Sequence, residues 1–165
     1  MQEPAPERYF LDDLAVGQRF RSDTYELTEE KLIAFAREFD PQPFHLDREA
    51  ARTTVFRGLA ASGWHTAAVT MRLLNDGAAP LAGGIVGAGG QVEWPRPTRP
   101  GDVLRVESEV LEIIASRSKP MQGIVVLRAE TRNQLDEVVQ VMTAKLVVPR
   151  RPGQARTAAA AMPAP

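Results

Sequence analysis

Asp40 and His45 stand five positions apart in the stretch FDPQPFHLD, with Pro41 and Pro43 between them. A carboxylate and an imidazole that converge on one water can divide acid and base work between them, with no thiol and no metal. Fully extended, five residues would hold the pair roughly 16 Å apart, so cooperation requires the chain to turn. The two prolines fix two φ angles and lower the entropy lost in holding such a turn. The stretch therefore reads as a pre-organised acid/base pair. Taken alone, it reads more simply as an aspartate capping a helix exit or turn beside a surface or packing histidine, because short motifs recur by chance.

A second stretch, GLAASGWH, places Ser62 and Gly63 where a helix should begin. Free backbone N–H groups and the positive end of the helix dipole at such a point can hold a developing oxyanion, and a glycine lets a carbonyl approach the backbone closely. Ser62 is also an ordinary N-cap and Gly63 an ordinary small contact residue. Together the two stretches supply acid/base groups and an oxyanion site, a combination less expected by chance than either part alone.

These groups need elements to position them. Leu32, Ile33, Phe35, Ala36 and Phe39 recur at helical spacing behind Thr28, a good N-cap with acidic residues in the first turn. Pro41 should end that helix at Phe39 or Asp40, because the residue before a proline avoids helical geometry. A second helix is predicted from Ser62 or Gly63 to Asn75-Asp76-Gly77, apolar round most of its circumference and therefore buried on nearly every side. From about Gly84 onward the chain reads as strands, GIVGAGGQVEWPRP, DVLRVESEVLEIIASRS, GIVVLRAETRNQ and EVVQVMTAKLVVP, separated by turn-rich segments. Three successive hairpins in an antiparallel sheet are expected. GGIVGAGG runs into QVEWPRP, which cannot open a helix, so its glycines suit a bulge or strand curvature rather than a dinucleotide-binding turn.

Of the 165 residues 44% are hydrophobic, enough for one domain with a substantial core. Twenty Lys and Arg against 21 Asp and Glu, with no long single-sign run, argue against a nucleic-acid or acidic-membrane partner. The absence of cysteine removes disulfides, thiolate nucleophiles and thiolate metal sites. His45-Leu-Asp47 would be half a metal site, but the rest of a ligand set is missing, so no metal is expected. The N-terminus lacks the basic-then-apolar order of a signal peptide and no apolar run would span a bilayer, which makes the cytoplasm the expected location. Residues 1–8 and the Arg/Ala/Pro-rich 150–165 are expected to be flexible, with the domain over 9–149.

YFLDDLAVGQRF, FAREFDPQPFHLD, GLAASGWHTAAV, PTRPGDVL and TRNQLDEVV, in this order, resemble the MaoC-like dehydratases, the group that includes (R)-specific enoyl-CoA hydratases. The resemblance covers nearly all of residues 9–149. It implies an α+β hot-dog fold, an antiparallel sheet wrapped round a central helix, and a homodimer or higher homo-oligomer. It also implies syn addition of water to a trans-2-enoyl thioester, or the reverse, with coenzyme A as part of the substrate and no other cofactor. The motif's catalytic Asp and His carry over to Asp40 and His45, and its helix-opening small-residue/Gly step to Ser62 and Gly63. Phe39, Gln42 and Trp64 depart from the family's usual Gly, Asn and Met, and the bulk of Phe39 and Trp64 would narrow or reshape an acyl tunnel. Asp136 stands where the family has Gly, a place that tolerates Asp in left-handed geometry. Arg96, Arg99, Arg117 and Lys119 lie in turns from which coenzyme A phosphates could be met, although solvated loop charges fit as well. The same site could serve a hot-dog thioesterase or a non-catalytic acyl-thioester binding protein; release of free thiol would mark the former and stabilisation without turnover the latter.

Overall fold

Thr28 caps α1 (Glu29–Phe39), accepting a hydrogen bond from the Lys31 N–H, and the helix stops at Phe39, two residues before Pro41. The computed structural model describes residues 8–153. Residues 1–7 and 154–165, most of the two ends expected to be flexible, lie outside the described residues. Arg150 does not begin a free tail, since its N–H donates to Met121 O and its guanidinium pairs with Asp12.

Ahead of α1 run two short strands, β1 (Arg19–Arg21) and β2 (Tyr25–Leu27). After it come two short helices, α2 (Pro43–Leu46) and α3 (Arg48–Arg52), then the long α4 (Gly63–Leu73), prolonged by one wide turn over Leu74–Ala78. Four strands complete the chain: β3 (Val86–Glu93), β4 (Asp102–Ala115), β5 (Gln122–Arg132) and β6 (Val138–Pro149).

The sheet has six strands in the order β1-β4-β5-β6-β3, with β2 also pairing β4, and every pairing is antiparallel. It contains two of the three expected hairpins, β4–β5 and β5–β6. β3 does not turn back on β4; it pairs with β6 at the far edge. The connection 94–101 is the reason: it carries Pro95, Pro97 and Pro100, cannot form a tight turn, and runs past the start of α4, where Ala61 N–H donates to Thr98 O. The glycine-rich stretch behaves as expected, with a register shift between Gly87 and Gly89 and a Gly89 φ of 135° that marks the bulge. In the β5–β6 turn Asp136 is left-handed, with φ of 62°, and pairs with Arg105 and Arg132.

β4 alternates buried and half-buried positions from Asp102 to Val110, so one face of the sheet is apolar. Leu104, Val106, Val110, Val125, Leu127, Val139, Leu146 and Val148 on this side meet Leu32, Val69, Leu73 and Leu74 from the helices, all nearly or fully buried. Each large aliphatic side chain buried there contributes about 2 kcal/mol. The other face carries an ion-pair ladder that includes Arg19–Glu109, Arg128–Glu130 and Arg132–Glu130, which keeps it in water. Among the described residues no helix is long and apolar enough to cross a membrane.

α4 is less enclosed than its sequence predicts. His65, Thr66, Val69, Thr70 and Leu73 face the core, whereas Trp64, Ala68, Met71 and Arg72 remain exposed. One chain's sheet covers one side of the helix and leaves the other bare. On the covered side the His65 ring stacks on Phe35, with centroids 4.4 Å apart, and its buried Nδ1 has no hydrogen-bond partner among the described residues. Burial, with the Lys31 charge as a smaller cause, holds the His65 pKa below its ordinary value.

A histidine whose folded pKa lies below its unfolded value binds a proton more readily when unfolded, so acidification through about pH 6.5 removes stability. Urea unfolding should therefore show a lower midpoint at pH 5.5 than at pH 7.5, and His65→Phe, which keeps the stack on Phe35, should narrow that gap. An unchanged gap in the variant would mean that other groups set the acid sensitivity.

Candidate active site

Asp40 closes α1 in non-helical geometry, with φ −151° and ψ 67°. Its C=O accepts from the Gln42 N–H, and the Gln42 C=O accepts from the His45 N–H, so the chain folds back over five residues. Pro43 at the first position of α2 fixes the entry to the next turn. The result brings His45 Nε2 to 3.4 Å from Asp40 Oδ2, in place of the separation an extended chain would give.

His45 is 4% exposed. Its Nδ1 lies 2.7 Å from Ala60 O. A carbonyl can only accept, so Nδ1 carries the hydrogen and Nε2 is the nitrogen that faces Asp40. Two other groups hold the carboxylate: the Gln42 side-chain amide donates to Oδ1 at 2.7 Å, and the Ser62 hydroxyl is a further hydrogen-bonding partner. Burial works to raise the Asp40 pKa, but the hydrogen bonds from Ser62 and Gln42, with the His45 charge, outweigh it and hold the group below its ordinary value. Asp40 is thus a carboxylate at neutral pH.

Ser62, fully buried, joins this pair to α4. Its Oγ accepts from the Trp64 N–H at 3.2 Å and so caps the helix. The His65 and Thr66 N–H groups turn back to Ser62 O. The Gly63 N–H is left with no hydrogen-bond partner among the described residues, at the positive end of the helix and on the wall of a cavity of about 420 Å³. The same cavity is lined by Asp40, His45, Phe44, Phe56, Trp64 and Trp94. All four residues singled out from sequence therefore meet at one place: Asp40, His45 and Gly63 on the cavity wall and Ser62 buried behind them.

Gly63 is required by close approach rather than by backbone conformation. A Cβ there would lie 2.8 to 3.1 Å from three ring atoms of Trp94. That indole donates from Nε1 to Gln140 Oε1 at 2.8 Å and meets Trp64 edge to face. Trp94 escaped the sequence reading because it looks like a strand-end aromatic; only the crossing of β3 to β6 brings it over Gly63. Phe39, by contrast, leaves the site alone: it is 64% exposed and packs beside Phe35 on α1.

Arg99 is not free for a phosphate. Its guanidinium donates to the carbonyls of Phe56, Gly58 and Leu59, which pins the loop that delivers Ala60 to His45. Arg96 does lie on the cavity rim, 3.8 Å from Glu137.

Known proteins share this arrangement's sequence and fold. A structure described as a MaoC-like dehydratase from Rhodospirillum rubrum is 60% identical, covers 87% of this chain and 99% of its own, and superposes with a TM-score of 0.86. The R-hydratase PhaJ1 from Pseudomonas aeruginosa, in its unliganded form, is 28% identical over 86% of each chain, with a TM-score of 0.67. The uncharacterized protein YdeM of Bacillus subtilis (strain 168) is 32% identical across 84% of this chain and 96% of its own. The hot-dog architecture is common to the two solved neighbours and this chain. A family model described as "MaoC like domain" matches residues 13–133, which include the acid/base pair, the α4 N-terminus and Trp94, and the chain belongs to the MaoC-like dehydratase family.

Proposed function

We propose that the protein is a hydro-lyase that interconverts trans-2-enoyl and (R)-3-hydroxyacyl thioesters of coenzyme A. The family supports a hydratase or dehydratase role. The observation that carries the finer reading is the unpartnered Gly63 N–H on the same cavity wall as an ionised Asp40 and a buried His45.

The thioester carbonyl would accept from Gly63 N–H, and the α4 dipole would favour the enolate-like charge that builds on its oxygen as water attacks. With its hydrogen on Nδ1, His45 can present a lone pair at Nε2 toward a carboxylate that also only accepts, so a water between them can donate one hydrogen to each. Its oxygen lone pair is then aimed at the β-carbon. As the C–O bond forms, one water proton passes to the pair, and the pair returns a proton to the α-carbon on the same face. Asp40, held ionised, is the better first acceptor; the proton then crosses 3.4 Å to His45 Nε2, and the imidazolium so formed donates it to carbon, which returns both groups to their starting state. Dehydration runs the same steps in reverse. No cofactor is called for, and coenzyme A enters as part of the substrate.

The active unit in this reading holds two copies of the chain. Among the described residues β3 has one edge without a strand partner, and Trp64 and Met71 on α4, 64% and 39% exposed, form bare apolar surface next to it. The reading also keeps the protein in the cytoplasm.

With trans-2-enoyl-CoA as substrate, loss of the enoyl-thioester absorbance should proceed without release of free thiol. Asp40→Asn and His45→Ala should each slow it by roughly a hundred- to ten-thousand-fold while leaving the fold intact by circular dichroism. Thiol release in place of hydration would make the protein a thioesterase.

Ser62 gives a separate prediction. Removing a donor to a carboxylate raises its pKa, so Ser62→Ala should move the acid limb of kcat/KM to higher pH, and Ser62→Thr should restore it. An acid limb that stays in place in Ser62→Ala would separate Ser62 from Asp40.

A further inference from the structure

The catalytic cavity stops abruptly along α4. Thr66, Thr70 and Leu74 follow one another on one face of the helix and its continuation, at successive turns. Thr66 lines the catalytic cavity, and Leu74 lines a second cavity of about 320 Å³. The second cavity is apolar: Met71, Ile85, Val92, Met142, Ala144 and Leu146 share its wall with the glycines of β3. Between the two stands Thr70.

Thr70 belongs to a buried hydrogen-bonded chain that crosses from helix to sheet. Its hydroxyl lies 2.6 Å from Thr131 Oγ1, the Gln140 amide donates to it at 2.9 Å, and the Gln140 Oε1 accepts from Trp94 Nε1. Gln140 and Thr131 are fully buried, so each bond in this chain would be costly to leave unmade. The chain pins the Trp94 indole flat against Gly63, inside the distance that any side chain at 63 would need. Gln140 and Met142 alternate on the inward face of β6, so the same strand that anchors Trp94 floors the second cavity two residues on.

We propose that Trp94, held by Gln140 and Thr70, is a specificity-determining residue that closes the catalytic cavity along α4 and restricts the enzyme to short acyl chains. This rests on the hydro-lyase reading given above. A thioester whose carbonyl sits at Gly63 N–H and whose β-carbon faces Asp40 and His45 has its chain end directed at a limited space. Phe44 and Phe56 wall it beside His45, with ring centroids 4.5 Å and 5.9 Å from the imidazole, and the indole walls it along α4. The apolar cavity that would accept further methylenes begins at Met71 and Leu74, further along α4, and at Met142, two residues beyond Gln140 on β6. In this proposal the Trp94–Gln140–Thr70 chain separates the two spaces, and removing the indole joins them.

Binding of unreactive saturated acyl-CoAs from four to ten carbons, measured by calorimetry on the full chain, reads the partition independently of turnover. The native protein should show no gain in affinity beyond the shortest chains. Each methylene that gains burial is worth roughly fourfold, so Trp94→Ala should prefer the eight-carbon ligand over the four-carbon one by at least about tenfold more than the native protein does. Trp94→Phe, which keeps a ring but loses the bond to Gln140, should fall between them and covers the case in which Trp94→Ala does not fold. Hydration rates across the matching enoyl-CoAs should follow the same order. A native protein whose affinity already rises steadily to ten carbons would overturn the proposal, as would a folded Trp94 variant with an unchanged length profile. Should saturated ligands show the expected profile while no enoyl-CoA is hydrated, the partition stands and the hydro-lyase reading falls.

Discussion

The site depends on how three residues, Leu59 to Ala61, are held. The Ala60 carbonyl accepts from His45 Nδ1, its N–H donates to Phe44 O in α2, and the Ala61 N–H donates to Thr98 O in the crossing segment. Arg99 fixes the carbonyls just upstream. One short stretch thus bonds to the acid/base turn on one side and to the sheet connection on the other, then runs straight into the α4 cap. Neither the imidazole tautomer nor the place of the helix end can change alone. In a site only partly closed to water, this cross-bracing takes the place of depth: the groups stay aligned because their backbones are mutually bonded, and little entropy is left to lose when substrate binds.

Much of this was legible in the sequence wherever a local rule has one outcome. Pro41 ends α1 at Phe39, the two prolines turn the chain so that Asp40 comes back toward His45, and Ser62 caps a helix that opens with Gly63. The bulge at Gly87–Gly89 and the left-handed Asp136 follow in the same way from which residues tolerate which φ. What local rules cannot reach is which strand lies beside which. The glycine strand looks like one arm of a hairpin with β4, yet its proline-rich exit carries it to β6, and this choice alone puts Trp94 over Gly63 and Gln140 behind it.

The exposure of side chains went astray for a related reason. Phe39 belongs to the apolar periodicity of α1 but falls on the last turn, beyond the reach of the sheet, so it turns outward. α4 looks apolar all round because its uncovered side, with Trp64 and Met71, is apolar as well. Periodicity reports that a surface wants cover and does not say whether the cover comes from the same chain. Arg99 shows the limit for charged groups: a turn-borne arginine reads as a solvated charge or a phosphate contact until the carbonyls that occupy it are seen.

The central claim is that a single pair on one face of the substrate delivers both the hydroxyl and the proton. Hydration of a trans-2-enoyl-CoA in deuterium oxide, followed by magnetic resonance of the 3-hydroxyacyl product, tests it directly. The account predicts one deuterium at the α-carbon, on the same face as the new hydroxyl, in a product of R configuration at the β-carbon. Deuterium on the opposite face, or equally on both, would mean that the proton comes from elsewhere than Asp40 and His45 and would contradict the account.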